Sequence, residues 1–162
     1  CAYTLWVALS LMLPKSRKGN PVMFNNILIL FFLIIAQIIY GAFVAGLKAG
    51  RIYTTWPKMG DEWMPDSVFL DPGAQAQFIH RVLALIIVAF TLYIWKKKNI
   101  LKISKTGKIA VNTIFSIVII QVLLGILTLI MAAPISIALI HQITAFILLM
   151  TITWNLYIFK KN

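Results

Sequence analysis

The 162-residue chain contains two histidines, His80 and His141, and their surroundings match: Ile79-His80-Arg81-x-x-Ala84 and Ile140-His141-Gln142-x-x-Ala145. Each lies about six or seven residues inside a nearly uncharged stretch, roughly 10 Å from its start at the helical rise of 1.5 Å per residue. Two helices would therefore hold them level. An ionisable side chain in lipid is costly and marks a ligand or proton site facing the bundle interior; the plainer role is hydrogen bonding across helices. A bare zinc or copper ion wants three or four ligands, whereas the four acids, Asp61, Glu62, Asp66 and Asp71, all lie together in one polar segment. A proton relay needs ionisable groups at successive depths, and only Arg81 is available. Heme iron takes two axial ligands on opposite faces of a flat macrocycle, held by facing helices, and two level histidines supply that pair. Ala84 and Ala145, one turn along, leave room for a porphyrin, and Arg81 is a candidate partner for a heme propionate. A ligating imidazole also donates its second N–H to an acceptor; the carbonyls of Ala76 and Ile137, four residues back, are the expected ones.

The elements that position these residues follow from hydropathy. Residues are 61% hydrophobic and 12% charged, with a mean hydropathy of +0.92, too apolar for a water-soluble domain. A nucleic-acid-binding chain is excluded as well, because its basic face would have to be solvated. About 20 helical residues cross the hydrocarbon core, so the uncharged stretches predict spans at about 22–47, 74–95, 109–131 and 134–159, the last two separated at Pro134. Residues 1–13 provide about half a crossing and are expected to be the end of a preceding helix, with 14–21 a loop. The chain is thus expected to be part of a longer one. Cys1 is the only cysteine, so an internal disulfide is excluded.

The net charge of +11 divides by side. Lys15, Arg17 and Lys18, then Lys96, Lys97, Lys98, Lys102, Lys105 and Lys108, and finally Lys160 and Lys161 stand in three segments that hold no acid, while Lys48, Arg51, Lys58 and Arg81 are balanced by the four acids. The positive-inside rule makes the first set cytoplasmic. The spans also repeat. Gln37-x-x-x-Gly41 recurs as Gln121-x-x-x-Gly125, and the His80 motif recurs around His141, so two parallel helix hairpins are expected, related by a twofold along the membrane normal. The glutamines read as partners in interhelical hydrogen bonds, and Gly41, Ala45, Gly46 and Gly50 as close-packing positions.

The outer loop, 48–73, is rich in aromatics, prolines and charges. Loops of this length are functional or disordered, and its aromatics argue against disorder. Two readings stand side by side: a cover over the outer face, with Lys48 and Arg51 as further propionate partners, and a plain interfacial anchor.

Several of these motifs, taken in order, resemble one family: Gly41-Ala-Phe-Val-Ala-Gly46-Leu-Lys-Ala-Gly50, Tyr53-Thr-Thr-Trp-Pro57-Lys-Met-Gly60-Asp-Glu-Trp63-Met-Pro65, Gln77-Phe-Ile-His80-Arg81, Gln121-Val-Leu-Leu-Gly125 and His141-Gln142. From about Ile38 to Trp154 the chain is similar to the C-terminal half of heme A synthases of the mitochondrial and alphaproteobacterial type. The resemblance implies an eight-helix enzyme of two four-helix halves that oxidises the C8 methyl of heme O to the formyl of heme A for cytochrome oxidase. It implies His80 and His141 as axial ligands of a heme b, with Arg81, Gln142, Lys48 and Arg51 as cofactor-binding candidates, and it puts the reaction site in the other half. The outer loop lacks the cysteines of some bacterial members. Heme O is the implied substrate; heme O synthase and an electron acceptor are implied partners, and a homo-oligomer is admitted.

The expected fold class is therefore all-α: a polytopic membrane protein with a four-transmembrane-helix bundle of two parallel-repeat hairpins, preceded by the end of a further helix. Abundant Ile, Lys and Asn point to a bacterial cytoplasmic membrane in preference to a mitochondrial inner membrane. A general b-type membrane cytochrome, and a transporter or scaffold half with a histidine proton site, are the alternative functions.

Overall fold

A computed structural model describes residues 2–12 and 19–160. Cys1, Lys15, Arg17, Lys18, Lys161 and most of the expected 14–21 loop lie outside the described residues. Among the described residues six helices form: α1 (Ala2–Met12), α2 (Pro21–Gly46), α3 (Ser67–Leu70), α4 (Pro72–Ile100), α5 (Lys105–Ile130) and α6 (Ile135–Phe159), with a 3-10 turn at Ala49–Arg51. Four of them, α2, α4, α5 and α6, are long and apolar enough to cross a membrane, and the protein is an all-α integral membrane protein.

Local chemistry sets the helix ends. The Asn20 side chain accepts from the Met23 N–H and Pro21 opens α2; Asp71 and Pro72 do the same for α4, where the Asp71 carboxylate accepts from the Ala74 N–H at 2.7 Å. Ser104 caps α5 through the Gly107 N–H. These side chains satisfy N–H groups that have no partner within the helix, and proline suits the first turn. Between α5 and α6, Ala132 and Ala133 adopt left-handed backbone (φ 58° and 57°) before Pro134. α4 ends one turn later than hydropathy predicts, and α5 starts one turn earlier. Lys97 and Lys98 in the last turn of α4 oppose the negative end of the helix dipole, so the charged turns stay helical beyond the apolar span.

The four long helices form a closed ring in the order α2, α4, α5, α6, each packed on the next and α6 on α2. The pairs α2/α5 and α4/α6 are the diagonals. Buried positions obey the repeat: Ile27 with Val111, Leu30 with Ile114, Ile34 with Val118, Ile87 with Leu148, and Thr91 with Ile152. All of these lie on the side of the histidines toward the lysine-bearing end. Beyond them, at the level of the histidines, the helices meet through glutamine, glycine and alanine instead of branched aliphatics.

Candidate heme-binding site

His80 is the ninth residue of α4 and His141 the seventh of α6, about 12 and 9 Å from the helix starts at 1.5 Å per residue. They occupy diagonal helices, facing each other across the bundle, as the repeat requires. Their environments are built the same way. Gln37 on α2 donates from Nε2 to the His80 carbonyl at 3.1 Å, and Gln121 on α5 donates to the His141 carbonyl at 3.0 Å. One turn further out, a Cβ added to Gly41 would stand 3.2 Å from His80 Cε1, and one added to Gly125 would stand 3.1 Å from His141 Cε1.

Helix geometry explains the four-residue spacing. α4 and α6 run toward the lysine-bearing end, and helical side chains lean toward the N-terminus, while carbonyls point toward the C-terminus. The imidazole therefore lies further from the lysine-bearing end than its own carbonyl. A helix running the opposite way meets the carbonyl first and the ring about one turn later, so a glutamine followed four residues on by a glycine matches both.

These glutamines make the interhelical hydrogen bonds expected of them, and Gly41 is the close-packing position expected; the partner in each case is a histidine, as it is for Gly125. Depth carried the missing signal, since Gln37 and Gln121 fall level with His80 and His141.

Expected acceptors for the second ring N–H are not used. Nδ1 of both histidines is buried and without a partner, so the carbonyls of Ala76 and Ile137 do not accept from them. They sit in the regular ladder of their helices and the rings turn toward the glycines. On the other ring nitrogen, His80 Nε2 lies 3.2 Å from Gln37 Nε2. The glutamine nitrogen can only donate, so His80 Nε2 is the accepting nitrogen and carries the lone pair, while Nδ1 carries the proton; a ligand that takes up a lone pair would do so at Nε2, in place of the glutamine. Oε1 of Gln37 and Gln121 is likewise buried and unpartnered.

Just inward of the histidines a small cavity of about 50 Å³ lies on the bundle axis. Its lining is paired by the repeat: Gln37 with Gln121, Ala84 with Ala145, Ile87 with Leu148. Among the described residues, no three His, Cys, Asp or Glu side chains gather where they could hold a metal ion.

Symmetry ends at the next residue. Arg81 is buried and spends three N–H groups on the outer segment, Nη1 on the carbonyls of Thr55 (3.0 Å) and Lys58 (3.1 Å) and Nη2 on that of Tyr53 (2.9 Å). Gln77 adds a second donor to the Tyr53 carbonyl at 2.9 Å. The outer segment is thus strapped to α4 beside His80, and its 3-10 turn reaches the other hairpin, where Gly50 abuts Ala133. Gln142, the repeat mate of Arg81, is exposed, as are Lys48 and Arg51. None of these three joins the histidines directly.

Each histidine–glutamine bond can be tested alone. Interhelical hydrogen bonds in membrane proteins contribute about 0.6 kcal/mol on average and about 1.7 at most. Gln121→Leu and Gln37→Leu are each expected to lose an amount in that range in a denaturant titration of the detergent-solubilised protein. Two variants indistinguishable from the parent would show that the bonds contribute nothing.

A family model described as "Cytochrome oxidase assembly protein" matches residues 1–153. Heme A synthase of Flavobacterium johnsoniae is 38% identical, over 99% of this chain and 50% of its own length. Heme A synthase of Flavobacterium psychrophilum is also 38% identical with the same coverage, and that of the Wolbachia of Brugia malayi is 42% identical over 81% of this chain and 39% of its own. The chain spans about half the length of the Flavobacterium relatives. No solved structure matches. With the paired motifs lying inside the matched region, the chain belongs to the heme A synthase family.

Proposed function

We propose that this chain is the C-terminal, heme b-binding half of a heme A synthase, the oxidoreductase that converts the C8 methyl of heme O to the formyl of heme A for cytochrome oxidase. The observation that carries the reading is the pair of histidines on diagonal helices at repeat-related positions, each backed by a glutamine and a glycine. His80 and His141 would hold the heme iron, and the heme would supply one-electron transfer there. With both histidines engaged on the iron, oxidation of the substrate methyl would belong to the other half.

The remaining residues hold this site. Gln37 and Gln121 fix the backbone of the ligand helices, while Gly41 and Gly125 give the imidazoles space. A porphyrin exceeds the axial cavity several times over, so the helices must separate at the outer end. Packing there is by Gln, Gly and Ala, which separate at less cost than interlocked aliphatics. Arg81 keeps Nε and one Nη2 hydrogen for a propionate, with Lys48 and Arg51 further toward the outer face and Gln142 at the level of Arg81 on the other hairpin. Heme O is the substrate, with heme O synthase and an electron acceptor as partners, and the lysine-bearing end faces the cytoplasm of a bacterium.

The test is the optical spectrum of the purified full-length protein. A low-spin heme signature is expected, lost in both His80→Ala and His141→Ala. A spectrum that survives either substitution overturns the ligand assignment. A host deleted for the gene should lack extractable heme A; if heme A persists, the site serves general electron transfer instead.

A further inference from the structure

We infer that the groove between α4 and α5 at the lysine-bearing end binds an anionic phospholipid, its phosphate held by Lys98, Lys105 and Lys108. The ring of four helices has two interhairpin grooves, α4/α5 and α6/α2, which the repeat makes equivalent. They differ in composition and in what covers them.

In the α6/α2 groove the repeat positions are apolar, Leu156, Phe159 and Leu28. α1 packs against α6 there, with Trp6 edge-on to Tyr157 at 5.6 Å. At the equivalent positions of the α4/α5 groove stand Trp95, Lys98 and Asn112, and no described element covers them. Trp95 stacks on Phe115 at 5.2 Å and donates from its indole N–H to Asn112 Oδ1 at 3.1 Å. Lys98 Nζ donates to the same oxygen and lies 4.2 Å from the Trp95 ring centroid.

Lys98 is therefore a lysine only 7% exposed as a residue, whose ammonium has one neutral acceptor shared with an indole. It carries three N–H donors, and the chain has no Asp or Glu after Asp71, so no carboxylate of these helices can neutralise it. Packing does not demand a cation there, since Phe159 fills the equivalent place. Lys105 and Lys108 are exposed and stand on the same stripe of α5 as Asn112 and Phe115, at successive intervals of three, four and three residues, which keeps them on one helix face. An aromatic floor in the apolar span under a rim of unpaired lysines at its end fits an acyl chain below and a phosphate above. Basic pockets between membrane helices take anionic headgroups in this way.

A diffuse attraction between lysines and an anionic surface would give the same preference without a site, and a charge-matched control separates the two. Lys96 and Lys97 belong to the same segment; Lys96 is exposed, and Lys97 lies over the Tyr93 ring at 4.9 Å. The full-length protein is purified, and retention of added phosphatidylglycerol against phosphatidylcholine is measured by native mass spectrometry. Selective retention of phosphatidylglycerol is expected. Lys105→Gln with Lys108→Gln should weaken it about thirtyfold, equivalent to the ~2 kcal/mol two lysines contribute near an anionic surface. Lys98→Gln should weaken it as well, and Lys96→Gln with Lys97→Gln should not. Equal losses in the two double variants, or equal retention of the two lipids by the parent, overturns the proposal. The exposed lysine pair keeps the test decisive even if Lys98→Gln fails to fold. Heme content, read from the same samples, is expected to be unchanged, so this result and the ligand assignment stand or fall separately.

Discussion

Gly125→Leu is expected to abolish the low-spin heme spectrum of the full-length protein and to lower its resistance to unfolding, while Gly46→Leu does neither. A Cβ on Gly125 would already stand 3.1 Å from Cε1 of His141 and within 4 Å of both its ring nitrogens. Leucine adds three more carbons along the same line. Either the imidazole leaves its position or α5 and α6 separate, and overpacking of this kind costs about 1–3 kcal/mol. Alanine is the informative intermediate. A helical Gly→Ala change ordinarily gains up to about 1 kcal/mol, and contact with an imidazole, which can swing by a few tenths of an ångström, offsets that gain. Gly125→Ala should therefore be close to neutral in stability with a perturbed spectrum. Gly41→Leu should repeat the effect through His80, whose Cε1 lies 3.2 Å from the corresponding Cβ. Nothing lies within 4 Å of a Cβ on Gly46, so that variant controls for the loss of a glycine. If Gly125→Leu keeps both spectrum and stability, the histidine is not seated against this glycine.

That prediction draws on a relation the sequence displayed without explaining. The four spans were legible because lipid imposes a length and a polarity on every crossing helix, and their limits agree with the helices to within a residue or two, except where lysine-rich turns extend α4 and α5 into the interface. The repeat was legible because His80 and His141 carry the same neighbours at the same depth. Hydropathy holds no information about which group a glutamine meets on a facing helix, so the link from Gln37 to the His80 carbonyl and from Gly41 to its ring needed coordinates. Lys98 illustrates the same limit from the other side. In the sequence it is one of six lysines that orient the chain; its burial against Trp95 and Asn112 depends on how α4 turns toward α5. Arg81 was legible as an exception, a cation in an apolar span, but its carbonyl partners lie 23 to 28 residues away in a loop without periodicity.

Arg81→Ala is expected to release the outer segment while leaving the four long helices in place. The guanidinium donates to three carbonyls in the stretch from Tyr53 to Lys58, none of them in a helix or sheet; the Lys58 carbonyl also accepts from the Thr55 hydroxyl and that of Tyr53 from Gln77. Hydrogen bonds from a charged donor contribute about 1.5–3 kcal/mol each, and water replaces part of that once the segment opens, so a net local loss of about 3 kcal/mol is expected. A loss of that size raises the population of the open segment by more than a hundredfold. The amide of Met59, buried and bonded to the Glu62 carbonyl at 2.8 Å, reports it: its hydrogen exchange should accelerate by about that factor, the limit being reached when exchange follows the open population. Circular dichroism should be little changed, because the spans do not depend on the strap. Lysine is the discriminating substitution. It keeps the charge but presents a single ammonium in place of a planar fork, and it cannot reach carbonyls on both sides of the Trp56-Pro57 turn, so Arg81→Lys should restore only a small part of the protection. Full protection in Arg81→Lys would mean that charge alone holds the segment, and unchanged exchange in Arg81→Ala would mean that Gln77 and the packing of the 3-10 turn hold it without the arginine.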